Sequence, residues 1–149
     1  MKPKIVLAAD HAGFQLKELV KKHLLEMDYQ VDDLGAYEYD KEDDYPDFIT
    51  PAAGIVASSK NCMGIIFGGS GQGEAMVANR INGVRAAVYY DGPQDIVLLS
   101  RQHNNANILS LGARFLSSEK ALKVIDQWLK TPFEGERHER RIKKFNHQN

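Results

Sequence analysis

A single cysteine, Cys62, stands in the 149-residue chain, and its solitude removes two classes of protein. One thiol cannot form an internal disulfide, and alone it cannot supply a zinc cluster. The same scarcity fits a reducing, cytoplasmic setting. Long apolar runs are also missing; none approaches the ~20 residues of a membrane span. Met1-Lys2-Pro3-Lys4 leads straight into a short strand-like run, so no secretory leader is expected. Nor is there an excess of charge of one sign, since 19 basic residues face 20 acidic ones for a net charge of −1. That balance argues against a general nucleic-acid or membrane-surface binder. No internal repeat or low-complexity segment interrupts the chain.

What is present describes one soluble globular domain spanning 1–149, with 43% apolar and 26% charged residues. Strand-like runs occur at 4–9, 30–34, 63–67, 84–89 and 107–111. Helical spacing separates them. Phe14, Leu16, Leu19, Val20, Leu24 and Met27 form one apolar stripe. Ile96, Leu99 and His103 share a face of a later helix, whose first turn suits Pro93. Ser117 or Ser118 can cap a helix carrying Leu122, Val124, Ile125, Trp128 and Leu129. Strand then helix, five times over, predicts a three-layer α/β/α, Rossmann-like fold with a five-stranded parallel sheet. The longest irregular stretch, 35–47, holds Tyr37, Tyr39, Tyr45 and a concentration of acidic residues, and loops of that length are often functional.

Ligands of open α/β sheets bind beyond the carboxyl ends of the strands. Asp10 and His11 follow the first strand, and Gly68-Gly69-Ser70-Gly71-Gln72-Gly73-Glu74 follows the third. Gly112-Ala113-Arg114 follows the fifth. The glycine loop lets the backbone approach a ligand and aims N–H groups at one point. It is not a dinucleotide fingerprint, because Glu74 takes the place of the third glycine in the register from Gly69. It lacks the G-K-[ST] of a Walker loop and the G-x-S-x-G of a nucleophile elbow. What remains is an anion or oxyanion cradle. Glu74, beside a helix N-terminus whose dipole favours the ionised form, is equipped to remove a proton next to a carbonyl. Alone, Glu74 could equally serve only to start its helix.

Taken together, Ala9-Asp10-His11-Ala12-Gly13, Asp44-Tyr45-Pro46, the loop 68–74, Ala78-Asn79-Arg80, Ser100-Arg101-Gln102-His103-Asn104-Asn105, Gly112-Ala113-Arg114 and Arg137-His138-Glu139-Arg140-Arg141 resemble the ribose-5-phosphate isomerase B family. That family also contains the galactose-6-phosphate isomerase subunits. The resemblance runs from Ile5 to about Arg141 and implies an aldose–ketose isomerase of the pentose phosphate pathway, working without cofactor or metal. Many members carry a cysteine base at the position of Gly68. Members without it resemble this chain in placing a glutamate at the position of Glu74, which implies the glutamate-base subtype. Cys62, roughly 20 Å away along its strand, cannot substitute.

By the same resemblance Asp10 and His103 would open the furanose ring, and Ser70 would bond the sugar oxygens at C1 and C2. The N–H groups of Gly69, Gly71 and Gly73 would hold the enediolate, with Tyr45 and Asn104 lining the sugar. His11, Arg114, Arg137, His138 and Arg141 would hold the phosphate. Independently, helical spacing in an extra C-terminal helix would project Arg137, His138 and Arg141 from one face. A solvated basic tail is the alternative. The resemblance implies a homodimer, or a tetramer, with shared sites, into which the 132–149 tail of one subunit reaches. A six-carbon substrate, allose 6-phosphate or galactose 6-phosphate, and a non-catalytic phosphosugar sensor are the competing readings. The five histidines show no ligand spacing along the chain, and His23 and His147 are expected at the surface.

Overall fold

The computed structural model describes residues 1–145. Five strands, β1 (Lys4–Ala9), β2 (Val31–Asp33), β3 (Cys62–Gly68), β4 (Ala86–Tyr89) and β5 (Ile108–Gly112), alternate with α1 (Phe14–Glu26), α2 (Pro46–Ser58), α3 (Gln72–Ala78), α4 (Asp95–Gln102) and α5 (Ser118–Lys130). A sixth helix, α6 (Arg137–Lys143), follows. All pairings are parallel, in the order β2-β1-β3-β5-β4. The three-layer expectation is met.

Alternation along the strands builds both faces. Ile5, Leu7 and Ala9 join Ile65, Phe67, Leu109 and Leu111 in a core covered by α1, α4 and α5. Val6, Ala8 and Ile66 point the other way, onto Ile49, Ala52, Ala53 and Val56 of α2 and Ala78 of α3. Strands buried on both faces must be apolar throughout, which is why they read as continuous runs. Trp128 of α5 is completely buried, and a side chain of this kind contributes about 1.5–3 kcal/mol by leaving water. Ser117, not Ser118, caps α5, its hydroxyl accepting from Lys120 N–H at 3.2 Å.

Two helix faces depart from expectation. Leu19 is 39% exposed, and the place in the stripe goes instead to Lys17, which is fully buried. Its Nζ lies 2.8 and 3.0 Å from the Asp33 carboxylate oxygens, and Lys21 reaches the same group at 3.1 Å. A lysine can fill an apolar stripe because its stem packs while its charge finds a partner. On α4 it is Val97 and Ser100 that turn inward, leaving Ile96 and Leu99 exposed. No helix among the described residues is long and apolar enough to cross a membrane.

Candidate active site

The chain leaves β1 towards β2 on one side, while β3 pairs on the other. A crevice opens where connections diverge like this, at the strands' carboxyl ends. The β1–β3 register sets Ala9 beside Phe67, so Asp10 and Gly68 emerge together. Asp10 is buried and its carboxylate accepts from the N–H groups of Ala12 (3.0 Å) and Gly13 (3.3 Å).

The glycine loop joins β3 to α3. Gly71 has φ +77°, a left-handed conformation that glycine adopts without strain. Ser110 of β5 donates to the Gly71 carbonyl at 2.6 Å and pins the turn from below. The main chain after β5 completes the cradle, Ala113 N–H donating to Gly68 O at 2.8 Å and Arg114 N–H to Gly69 O at 3.1 Å. The Arg114 guanidinium lies over Gly69, and the Tyr45 hydroxyl lies against Gly73. Ser70 Oγ accepts from Gln72 N–H at 3.2 Å.

Glu74 is 4% exposed, with Oε2 buried and without a hydrogen-bond partner. Its carboxyl covers Gly68 so closely that a Cβ there would overlap it. Burial raises the Glu74 pKa above the ordinary glutamate value, and the negative charge of Asp10 adds to the rise. The helix dipole favours the ionised acid, as the sequence suggests, but it does not set the direction of the shift. A terminal dipole is worth about 0.3–1 kcal/mol, and losing water outweighs it. Across the crevice His11 Nδ1 lies 2.7 Å from Asp43 Oδ1, and its N–H donates to the same oxygen at 3.0 Å.

A second group gathers elsewhere. The helix α4 runs back from the end of β4 to the start of β5, so His103 at its C-terminus lies at the opposite edge of the sheet from Asp10 and Glu74. There its ring stacks on His138 at 4.3 Å, with 11° between planes. Asn104 is exposed beside them and lines a shallow cavity with Asn79, Arg80 and Phe145. The α6 helix sets Arg137, His138 and Arg141 within an arc of about 100°, with His138 buried at its inner margin and the two arginines exposed. Burial lowers the His138 pKa, and His103, Arg137 and Arg141 push it the same way. Within one chain, the predicted residues form two clusters.

Some predictions fail or gain detail in space. His23 is half-buried, its ring bonded to Asp126 at 2.8 Å. His147 lies outside the described residues. Cys62 is buried at the first position of β3, the far end from Gly68, and burial raises its thiol pKa. Folding also creates two donor groups that linear spacing did not show, Asp10–His11–Asp43 and His103–Glu134–His138, each with ligand atoms within 4.8 Å. In the second the rings are nearly parallel, so their in-plane lone pairs point side by side instead of at one cation. Sequence reading missed Asp43 and Ser110, one hidden in an acidic loop and the other in a strand with no motif around it.

A family model described as Ribose/Galactose Isomerase matches residues 5–145. The chain is 42% identical to a probable ribose-5-phosphate isomerase B of Mycoplasma pneumoniae, over 95% of this chain and 91% of that protein. It is 39% identical to ribose-5-phosphate isomerase B of Mycobacterium leprae, over 93% and 85%. Among solved structures, ribose-5-phosphate isomerase B of Mycoplasma genitalium with bound ribulose-5-phosphate superposes with a TM-score of 0.91 at 39% identity, covering 98% of this chain and 97% of that one. The Thermotoga maritima ribose 5-phosphate isomerase gives 0.92 at 42%, covering 99% of both.

Proposed function

The chain belongs to the ribose/galactose isomerase family, and on that premise we propose that it interconverts D-ribose 5-phosphate and D-ribulose 5-phosphate, with Glu74 as the base. It is an aldose–ketose isomerase. One observation carries the choice of base: the Glu74 carboxylate fills the space that any side chain at position 68 would need. A base supplied from 68 and a base supplied from 74 therefore serve one point, and in this chain only 74 has a titratable group. The glutamate-base subtype is the reading this supports.

The route begins with ring opening. Asp10 and His103 share the work, one taking the anomeric hydroxyl proton and the other protonating the ring oxygen. Glu74 then removes the C2 proton. The charge that develops on the C1 oxygen is held by the N–H groups of Gly69, Gly71 and Gly73. Ser70 passes a proton from the C2 oxygen to the C1 oxygen, and Glu74 returns its proton to C1. Every proton removed is thus returned, and carbonyl and hydroxyl have changed places. A base with a raised pKa matches this work, since transfer is best balanced when acid and base strengths are close to the working pH.

Tyr45 and Asn104 line the sugar in this reading, and His11, Arg114, Arg137, His138 and Arg141 hold the phosphate. The separation of the two clusters within one chain favours a homodimer, alone or within a tetramer. His103 and the 132–149 tail of one subunit would then complete the crevice of the other. The buried free thiol of Cys62 accords with a cytoplasmic enzyme.

The test is ribulose 5-phosphate formation from ribose 5-phosphate, with EDTA present, for wild type and Glu74→Gln. Turnover in the wild type and a loss of about 1,000-fold in the variant are expected. A wild type inactive on ribose 5-phosphate but active on allose or galactose 6-phosphate would overturn the five-carbon assignment. Binding without turnover of any of them would return the sensor reading.

A further inference from the structure

The loop between β2 and α2 comes back across the end of β1, and one of its carboxylates is turned inward there. Asp43 has a side chain only 9% exposed, in a stretch whose neighbours Asp40, Glu42 and Asp44 are exposed. Its Oδ1 accepts twice from one residue, from His11 N–H at 3.0 Å and from His11 Nδ1 at 2.7 Å. Its Oδ2 is buried and unpartnered. A buried carboxylate that spends one oxygen entirely on a single histidine is an expensive way to anchor a loop. The same geometry is an ordinary way to orient an imidazole.

Resting on the isomerase reading above, we propose that Asp43 is a positioning residue, which through His11 presents a charged N–H to the substrate's phosphate. With Nδ1 committed to the carboxylate, the ring has one free nitrogen, Nε2, and a fixed plane. The groups that bear on the ring's charge come from three directions. Asp43 from the loop and Asp10 from the end of β1 favour the cation; Arg114 beyond β5 and partial burial oppose it. The Asp43 hydrogen bond is the largest of these effects, and the His11 pKa lies above the ordinary histidine value. The Tyr39 ring meets the imidazole edge-on at 6.1 Å. Without Asp43, an imidazole beside Arg114 would lose its proton at a lower pH, and one phosphate contact would lose its charge assistance with it.

The decisive measurement follows the His11 ring by NMR through pH 5–9 in wild type and Asp43→Asn, with and without inorganic phosphate. The signal is assigned by its loss in His11→Asn. Asparagine keeps an oxygen for both N–H donors, so the variant removes charge and leaves geometry. Wild-type His11 is expected to titrate above the ordinary histidine value, and the variant at a lower pH than the wild type. In parallel, the KM for ribose 5-phosphate in the variant should rise about tenfold at pH 8 and less than about twofold at pH 6, with kcat nearly constant. The substrate's own second ionisation cancels, because both enzymes meet the same phosphate.

Wild-type His11 titrating at or below the ordinary value would overturn the proposal without need of any variant. So would a KM that rises equally at both pH values, the signature of a loop anchor alone. Absence of turnover in the wild type would sink the isomerase reading instead. The His11 titration and its response to inorganic phosphate would still decide the role of Asp43.

Discussion

The carboxylate of Glu74 lies over the α-carbon of Gly68, in the volume a side chain at 68 would occupy. Glycine at the end of β3 is therefore a condition for having the acid on α3 point into the crevice. The two residues are six apart in sequence and cannot both carry side chains aimed at this point. The relation is steric, and it can be tested without touching the acid.

Gly68→Ala is expected to lower kcat by about 100-fold, because a displacement of about 1 Å in a reacting group is enough for that. The measure is steady-state turnover alongside substrate binding. Retained binding with lost turnover is the expected pattern, and unchanged turnover would mean that Glu74 is not where the chemistry occurs.

A raised pKa has a sign that can be followed. Burial and Asp10 lift the Glu74 pKa, so its ionised form is the costly one in the folded protein. The stability it contributes is present below the ordinary glutamate pKa and is lost as pH rises through the lifted value. Glu74→Gln should therefore raise Tm at pH 7, with the gain shrinking towards pH 4. In the wild type, kcat/KM should fall on the acid side at a pH above the ordinary glutamate value, because a base must be unprotonated. An acid limb at or below that value would contradict the assignment.

The proposed sharing of sites across a homodimer predicts complementation. Glu74→Gln and His103→Asn homodimers should each be inactive. A fully exchanged equal mixture should recover about a quarter of wild-type activity, since half the dimers are hybrids with one intact site of two. Recovery of nothing would place both residues' work within one subunit, or remove His103 from the reaction.

The buried pair behind α1 is separable from the chemistry. Burial pushes the Asp33 pKa up, but Lys17, the Gly35 N–H and Lys21 outweigh it and leave it lowered. Lys17→Ala should cost about 3 kcal/mol in a urea titration, because it strands a buried charge. Lys21 stays within reach of Asp33 and limits the loss. The stability Asp33 contributes is present above the ordinary aspartate pKa and lost as pH falls through its lowered value, so the variant's deficit should shrink in acid.

Sequence alone determined the architecture and where part of the candidate site would gather. Five apolar runs of strand length, each followed by helical spacing, can be buried in few ways other than a parallel sheet covered on both faces. Strand ends carry ligand groups in such sheets, so Asp10, His11, the loop at 68–74 and Arg114 were locatable from spacing. The edges of that reading failed where side chains are amphipathic. Lys17 took the place expected for Leu19, since a lysine stem packs like an apolar chain once Asp33 receives its charge. On α4 the apolar pair Ile96 and Leu99 faces outward, where hydrophobicity without the fold suggests burial.

Only the tertiary structure decided the rest, because it depends on chain direction and on distances between residues far apart in sequence. The antiparallel run of α4 carried His103 to the edge away from Glu74 and brought it onto His138, 35 positions later. Burial outweighed the effect of the helix terminus on Glu74, and burial is a property of the packed chain. Asp43 was one acid among several in a loop until folding set it 2.7 Å from His11. A residue's type is local, but its solvation and its partners are not.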